Sequence, residues 1–212
     1  MKRITLAIIF ILLSQIIPLL FCVRLMISFN NLFVAAANIA IWLTQPPVSA
    51  SETRENKSKD KNSVIIILIM SLLCVAVSIV EWAYFKDGDV KFNAVSVTGI
   101  ILLVIGIIFR ALSVQTLGKH FTATVQIKQD HQLITKGPYA VVRHPSYLGA
   151  WMAIIGCAVF LHSIAGTFIA FFGMFYAYYV RIAVEEEALL DTFGEKYKAY
   201  QKAKARLIPF LW

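Results

Sequence analysis

The sequence predicts an all-α, polytopic membrane protein with about six transmembrane helices. Of its 212 residues 59% are hydrophobic and 15% are charged, and the mean hydropathy is +0.73. The apolar residues gather in long runs, and a helix needs roughly 20 of them to cross the hydrocarbon core of a bilayer. The basic residues stand mainly at the ends of these runs. Together the three observations predict an integral membrane protein.

Six apolar runs define the predicted helices. They cover residues 4–23, 27–45, 63–85, 93–113, 147–161 and 164–180. The last two cannot form one straight helix, because at about 1.5 Å per residue it would be far longer than the roughly 30 Å hydrocarbon core. We therefore expect a turn at His162-Ser163.

A polar segment divides the chain after the second run. Residues 45–62 begin with Gln45-Pro46-Pro47 and continue with Ser, Glu, Arg, Asn and Lys, which predicts a solvated linker. We expect one unit at residues 1–62, a transmembrane hairpin with its linker, and a second at residues 63–212. Nothing in the first unit points to chemistry.

Lysine and arginine residues predict the topology, because cytoplasmic loops carry an excess of positive charge. With both termini in the cytoplasm, 17 of the 20 basic residues fall on that side, and Arg24, Lys86 and Lys91 fall outside. The net charge of +8 thus follows from membrane orientation. A nucleic-acid partner would need a soluble basic face with interleaved aromatic residues, so none is expected.

The segment Gly137–Gly149 predicts a loop that enters a helix. Gly137-Pro138 favours a turn, and Pro145 suits the first helical position, so the helix should begin near His144. Such a start offers free N–H groups and a positive dipole end to an anion such as a carboxylate. The alternative is a membrane-entry turn whose Arg143 and His144 lie among lipid headgroups, and spacing alone leaves both open.

A second polar cluster ends the last run. Arg181 and Glu185 lie four residues apart on one helix face, whereas Glu186 points about 100° away, so the two carboxylates can have different partners. The alternative is an exposed helix exit with a single Arg–Glu pair. Glu81 and Arg110 stand near predicted helix ends, where long side chains reach the interface, and we expect no special role for either.

The loop after Arg110 contains titratable residues but no metal-binding pattern. His120, Gln126, Asp130 and His131 are spaced too irregularly, without the His-x₃-His or Cys-x₂-Cys spacing of metal sites. A solvated loop explains them, so no metal is expected.

Three motifs in residues 110–212 resemble the isoprenylcysteine carboxyl methyltransferase family of integral membrane enzymes. They are His131-x-Leu133-Ile134-x₂-Gly137-x-Tyr139, then Arg143-His144-Pro145-Ser146-Tyr147-x-Gly149, then Arg181-x₃-Glu185-Glu186-x₂-Leu189 followed by Phe193-Gly194-x₂-Tyr197-x₂-Tyr200. Each is modest alone, but their order is specific. By this resemblance residues 63–212 form a membrane methyltransferase core.

The resemblance implies that S-adenosyl-L-methionine is the cofactor, bound on the cytoplasmic side without a Rossmann domain. The chain indeed has no G-x-G-x-x-G motif after a strand. The implied cofactor-binding residues are Gln126, His131, Gln132, Leu133, Ile134 and Tyr139 in the loop, His144, Pro145, Ser146 and Tyr147 at the helix start, and Glu185, which closes the site. Arg181 matches the substrate-side arginine, whose fork can hold a carboxylate.

The implied reaction transfers a methyl group to a lipophilic acceptor from the lipid bilayer, in the first place the carboxylate of an isoprenylcysteine-like molecule. A carboxylate has a pKa of roughly 3.5 and needs no general base. The alternative acceptors, a phospholipid amine or a small thiol, must lose a proton to Glu185, Glu186 or His144. Two further alternatives are a nicotinamide-dependent reductase of related membrane fold and a non-catalytic scaffold.

Overall fold

The computed structural model describes residues 2–45, 62–121 and 132–209, and within these ranges every regular element is a helix. The helices are α1 (Lys2–Ile11, continued by a π-helical turn, Leu12–Ile16), α2 (Val23–Met26), α3 (Phe29–Leu43), α4 (Ser63–Phe85), α5 (Ala94–Leu117), α6 (Pro145–Phe160), α7 (Ile164–Phe193) and α8 (Glu195–Ala203). Short 3₁₀ turns cover Gly118–His120 and Gly137–Ala140. The all-α prediction is confirmed.

Three helices in the described ranges are long and apolar enough to cross a membrane: α4, α5 and α7, with 23, 24 and 30 residues. The apolar segments Ile4–Ile16, Phe29–Leu43 and Pro145–Phe160 are shorter. The 16 residues of α6 cover only about 24 Å of the roughly 30 Å hydrocarbon core. The chain is thus an all-helical membrane protein with helices of unequal length.

The helix ends match the apolar runs in part. α4 begins and ends with the predicted run 63–85, and the turn at His162-Ser163 is confirmed, with His162 at φ 56° and the Ser163 hydroxyl accepting from the N–H of Gly166 at 2.9 Å. The first run was predicted to be helical to residue 23. Regular helix ends at Ile16, because Pro18 has no N–H with which to continue it.

Glycines bring α5 and α6 into backbone contact. Gly99 and Gly106 on α5 oppose Gly156 and Gly149 on the antiparallel α6, seven residues apart on each helix. A Cβ added to Gly106 would lie 2.5 Å from the backbone nitrogen of Ala153, and hydrogen is therefore the only side chain that fits. Close packing through small residues is a common way to join helices in a membrane, where apolar burial alone gives little drive for association.

The same face of α5 carries a buried arginine. Ser96, Gly99, Leu103, Gly106, Arg110 and Ser113 are buried at spacings of three and four residues, whereas Ile101, Val104, Ile105, Ile108 and Leu112 are exposed for lipid contact. Arg110 is only 3% exposed. The expectation that its side chain reaches the interface is therefore wrong, because the close approach of Gly149 covers this end of α5 with α6.

Glu81 was also expected to have no special role, and this is wrong. Its carboxylate accepts hydrogen bonds from the Ser163 hydroxyl at 2.6 Å and from the N–H groups of Ile164 and Ala165 at 3.0 and 2.9 Å. These amides belong to the first turn of α7, where no carbonyl within the helix can pair with them. A carboxylate from α4 thus caps α7 and suits the positive end of its dipole.

The N-terminal hairpin shares a hydrophobic cluster with the rest of the chain. Phe10 and Val34 from the hairpin pack in it with Ile79 and Trp82 of α4 and with Phe160 of α6. A second cluster lies between α6 and α7 and includes Leu207, which is fully buried. The segment after α8 is thereby held against the helices that carry the polar residues.

The glycine contact predicts how α5 responds to an added methyl group. Gly106→Ala should lower stability by roughly 1–3 kcal/mol, because overpacking against the α6 backbone outweighs the gain in helix propensity of about 1 kcal/mol. Thermal unfolding in detergent measures this. Gly173→Ala is the matched control, since its Cβ would meet the flexible Met70 side chain at 3.3 Å. Equal melting temperatures for Gly106→Ala and wild type would contradict the account of this contact.

Candidate active site

The polar segment before α6 has the predicted form. Gly137 adopts φ 60°, a left-handed conformation that glycine accepts without strain, and begins the 3₁₀ turn in which Pro138 is second and Tyr139 points into the interior. His144 is the N-cap of α6 and Pro145 is its first residue, so the predicted helix start is confirmed. The His144 side chain makes no capping hydrogen bond to this first turn, so its amide donors can bind another group.

The segment after α8 fixes this loop in place. The N–H groups of Arg143 and His144 donate to the carbonyls of Ala205 and Arg206 at 2.9 and 3.1 Å. The Tyr200 hydroxyl donates to the carbonyl of Tyr139 at 2.6 Å. The C-terminal tail is thus part of the site, and Arg206 is a site residue that sequence reasoning missed.

Glu186 is the centre of a buried charge cluster. Its carboxylate is surrounded by Arg143 Nε at 2.8 Å, Arg206 Nη2 at 2.8 Å, His144 Nε2 at 3.2 Å, Gln201 Nε2 at 3.3 Å and the Tyr197 hydroxyl at 3.4 Å. Glu186 is only 3% exposed. Removing one partner of such a buried ion pair lowers the free energy of unfolding by several kcal/mol, because the remaining charge is left uncompensated. The cluster therefore ties α7, the α6 loop and the tail together.

Glu185 has a separate set of partners. Arg181 Nε donates to it at 2.8 Å, the Tyr147 hydroxyl also donates to it, and His144 Nδ1 lies 3.6 Å from its other oxygen. Arg181 is 2% exposed and donates through Nη1 to Ser63 at 3.2 Å. The prediction that the two carboxylates differ in their partners is confirmed, with His144 between them. Burial of Arg181 excludes the alternative of an exposed helix exit.

The two carboxylates determine the charge state of His144. Burial lowers the pKa of its imidazole, but the hydrogen bonds and negative charges of Glu185 and Glu186 outweigh this effect, and the net pKa is raised. Both ring nitrogens can then act as donors. While it is protonated, the imidazole cannot accept a proton from a substrate. The arrangement is suited to holding groups in position more than to general base catalysis.

The predicted site residues separate into three groups. Those that lie together around His144 are Tyr139, His144, Pro145, Ser146, Tyr147, Arg181 and Glu185. Gln132 is exposed, Leu133 and Ile134 are half-buried, and no hydrogen bond of the described residues ties their side chains to the cluster. Gln126 and His131 lie outside the described residues.

Several features fit a cofactor with a carboxylate and a cationic centre. The Tyr139 hydroxyl is buried beside the Ser146 side chain but makes no hydrogen bond of good geometry among residues 2–45, 62–121 and 132–209, so it can serve a ligand. The first turn of α6 suits an anion, and the Glu185 carboxylate, although paired with Arg181, has a side chain that is 21% exposed and thus accessible to a ligand. Over the described ranges no three His, Cys, Asp or Glu side chains are grouped to hold a metal ion.

Comparison with known proteins identifies the family. The model of the isoprenylcysteine carboxyl methyltransferase (ICMT) family matches residues 99–191. The protein-S-isoprenylcysteine O-methyltransferase of Dictyostelium discoideum is 32% identical over 177 residues, which cover 80% of this chain and 70% of that protein. The chain belongs to the ICMT family. The human protein-S-isoprenylcysteine O-methyltransferase is 30% identical over 75% of this chain and 59% of its own length.

A solved structure supports the ICMT fold. The eukaryotic intramembrane Ras methyltransferase ICMT matches 99% of this chain and 75% of its own, with a TM-score of 0.57 and 24% sequence identity. The family resemblance in the sequence motifs is thus confirmed, as is the identification of the chain as a methyltransferase of the protein-S-isoprenylcysteine O-methyltransferase type.

The pKa of His144 predicts a pH-dependent contribution to stability. Because its folded-state pKa lies above the ordinary value of 6.5, the stabilisation is fully present below about pH 6.5 and is lost as pH rises through the folded-state pKa. The melting-temperature difference between wild type and His144→Asn should therefore shrink with rising pH. His162→Asn is the control, since that ring contacts the Ser96 hydroxyl at 2.8 Å instead of a carboxylate. A difference that grows with pH would contradict the assignment.

Proposed function

We propose that this ICMT-family protein transfers the methyl group of S-adenosyl-L-methionine to the carboxylate of an isoprenylcysteine-like lipid in the membrane. The observation that carries the proposal is the convergence of residues from the family motifs, Tyr139 from the first, His144 and Tyr147 from the second and Glu185 and Glu186 from the third, on one buried cluster around His144. The names of the Dictyostelium and human relatives support the acceptor class.

The proposed cofactor site uses the loop and the start of α6. Gln126, His131, Gln132, Leu133, Ile134 and Tyr139 would line the loop side, with His144, Pro145, Ser146 and Tyr147 at the helix and Glu185 closing the site. S-adenosyl-L-methionine supplies an electrophilic methyl group on a sulfonium. The protein's part is to align the acceptor with that methyl and to exclude water, and positioning of this kind accounts for a large part of the rate.

The ion pairs of His144, Glu185 and Glu186 favour a carboxylate acceptor over an amine or thiol. A carboxylate is already ionised at neutral pH, whereas an amine or a thiol must first give up a proton. His144 is paired with both neighbouring carboxylates, and Glu185 and Glu186 are in turn paired with arginines, so each candidate base is already engaged. A phospholipid amine, a small thiol and a nicotinamide-dependent reaction are therefore not favoured.

We propose that Arg181 is a positioning residue on the acceptor side. Within the described residues its Nε donates to the Glu185 carboxylate at 2.8 Å and also lies 3.2 Å from the Tyr147 hydroxyl. By fixing both groups it would determine where an acceptor can lie relative to the methyl group.

The proposed orientation has six membrane segments, with both termini and the cofactor site of the core, residues 63–212, on the cytoplasmic side. The distribution of basic residues supports it, with 17 of 20 on the proposed cytoplasmic side. Labelling with an impermeant thiol reagent on intact cells tests it in a Cys22→Ser background. Asp87→Cys should react from outside and Glu195→Cys should not, and the reverse pattern would invert the topology.

A labelling assay tests the proposed activity. Purified protein is incubated with methyl-labelled S-adenosyl-L-methionine and, separately, with an S-prenylcysteine carboxylate, a phospholipid amine and a small thiol. Label should appear in the prenylcysteine as a base-labile methyl ester. Label in the phospholipid or thiol alone, or nicotinamide-dependent reduction without methyl transfer, would overturn the proposal.

Arg181→Lys tests the positioning role at constant charge. Loss of the planar fork should lower kcat/KM for the acceptor tenfold or more, equivalent to about 1.4 kcal/mol, because the lysine ammonium cannot present two parallel donors to the acceptor carboxylate. Affinity for S-adenosylhomocysteine, measured by calorimetry, should change little, since lysine still neutralises Glu185. Lys198→Ala, which removes an exposed ion pair with Glu195, is the control. Normal acceptor kinetics in Arg181→Lys would rule the role out.

A further inference from the structure

We propose that Arg110 is a carboxylate-binding residue of the active site, an inference that rests on the proposed function. The carboxylate belongs either to the lipid acceptor or to the amino-acid end of the cofactor, which share this chemistry.

The guanidinium of Arg110 is held beside the first turn of α6. Its Nε donates to the Thr44 hydroxyl at 2.7 Å and its Nη1 donates to the carbonyl of Ser146 at 3.0 Å. Gly149 makes this approach possible, because a Cβ there would lie 2.6 Å from the backbone nitrogen of Arg110. Arg110 therefore adjoins two predicted cofactor residues, Ser146 and Tyr147, although it is on another helix.

Arg110 differs from the other buried arginines in its charge balance. Arg143 bonds to Glu186, and Arg181 bonds to Glu185. For Arg110, no Asp or Glu of the described ranges lies within 4.0 Å of the guanidinium. The groups that act on it electrostatically are the hydroxyls of Tyr139, Tyr147 and Tyr178, which are neutral at pH 7.

An uncompensated charge at this depth points to a ligand. Burying a charge without an opposite partner is costly, and ionisable residues inside membrane helices are usually functional. The two hydrogen bonds to Thr44 and Ser146 need N–H donors but no positive charge. A residue whose role was only to join these helices would therefore not have to be an arginine. Nη2 has no hydrogen-bond partner in the described part of the chain and is available to a carboxylate oxygen.

If the carboxylate that Arg110 binds is that of the lipid acceptor, methyl transfer changes the charge of this ligand. One carboxylate oxygen attacks the methyl carbon, an O–CH₃ bond forms, the S–CH₃ bond breaks and its electron pair remains on sulfur. The acceptor loses its negative charge and becomes a neutral ester, which Arg110 holds less tightly than the carboxylate. Arg110 then favours substrate over product.

Ligand binding to Arg110→Gln, Arg110→Lys, Thr44→Val and the control Lys198→Ala tests the proposal. Calorimetry measures S-adenosylhomocysteine alone, and then S-farnesylcysteine carboxylate and its carboxamide in the presence of S-adenosylhomocysteine, so that no reaction occurs. In Arg110→Gln one of the two carboxylate ligands should bind at least tenfold more weakly. If the cofactor supplies the carboxylate, that ligand is S-adenosylhomocysteine. If the acceptor supplies it, that ligand is S-farnesylcysteine carboxylate, and the affinity for its carboxamide should not change. Arg110→Lys should lose less, and so should Thr44→Val, which removes one hydrogen bond to Arg110 but keeps its charge. Lys198→Ala, which removes an exposed ion pair, should bind like wild type. Unchanged affinity for both carboxylates in Arg110→Gln would overturn the proposal.

Thermal unfolding of the ligand-free proteins gives a second readout that does not depend on the proposed function. If the charge of Arg110 is uncompensated, Arg110→Gln should melt at the same temperature as wild type or higher. A fall of more than about 5 °C in Arg110→Gln, not seen in Thr44→Val, would show that arginine is needed for structure and would overturn the proposal. If wild type binds neither S-adenosylhomocysteine nor S-farnesylcysteine carboxylate while Arg110→Gln melts at a higher temperature, the proposed ligands are rejected.

Discussion

The backbone contact between α5 and α6 determines where the site can form. Four glycines let the two helices touch without side chains between them, and this contact places Arg110 beside the first turn of α6. The same turn begins at the His144-Pro145 step and carries Ser146 and Tyr147. A membrane gives little apolar drive for helix association, so shape complementarity of this kind has to supply it.

Charge compensation then completes the site from distant parts of the chain. Glu185 and Glu186 project from adjacent positions of α7, one toward Arg181 and Tyr147 and the other toward Arg143 and the C-terminal tail. His144 bridges the two carboxylates. A helical membrane protein can thus assemble a rigid polar site without a Rossmann domain, which is consistent with its membership of the ICMT family.

The sequence predicted the features that depend on local chemistry. The turn at His162-Ser163, the helix start at His144 and the different partners of Glu185 and Glu186 follow from the length of a membrane helix, the position of proline and helical spacing. The roles of Glu81 and Arg110 could not be predicted, because each is defined by another helix that approaches it in three dimensions. For Arg110 a signal was present in the sequence, since it falls on the buried strip of α5 at spacings of three and four residues.

An experimental structure of the protein with S-adenosylhomocysteine, determined in a lipid nanodisc, tests the central claim most directly. The account predicts ligand density in contact with the Tyr139 hydroxyl, the first turn of α6 and Glu185, with the Glu186 cluster unchanged. Density for S-adenosylhomocysteine at another surface, with Tyr139 and Glu185 in contact only with protein, would contradict it.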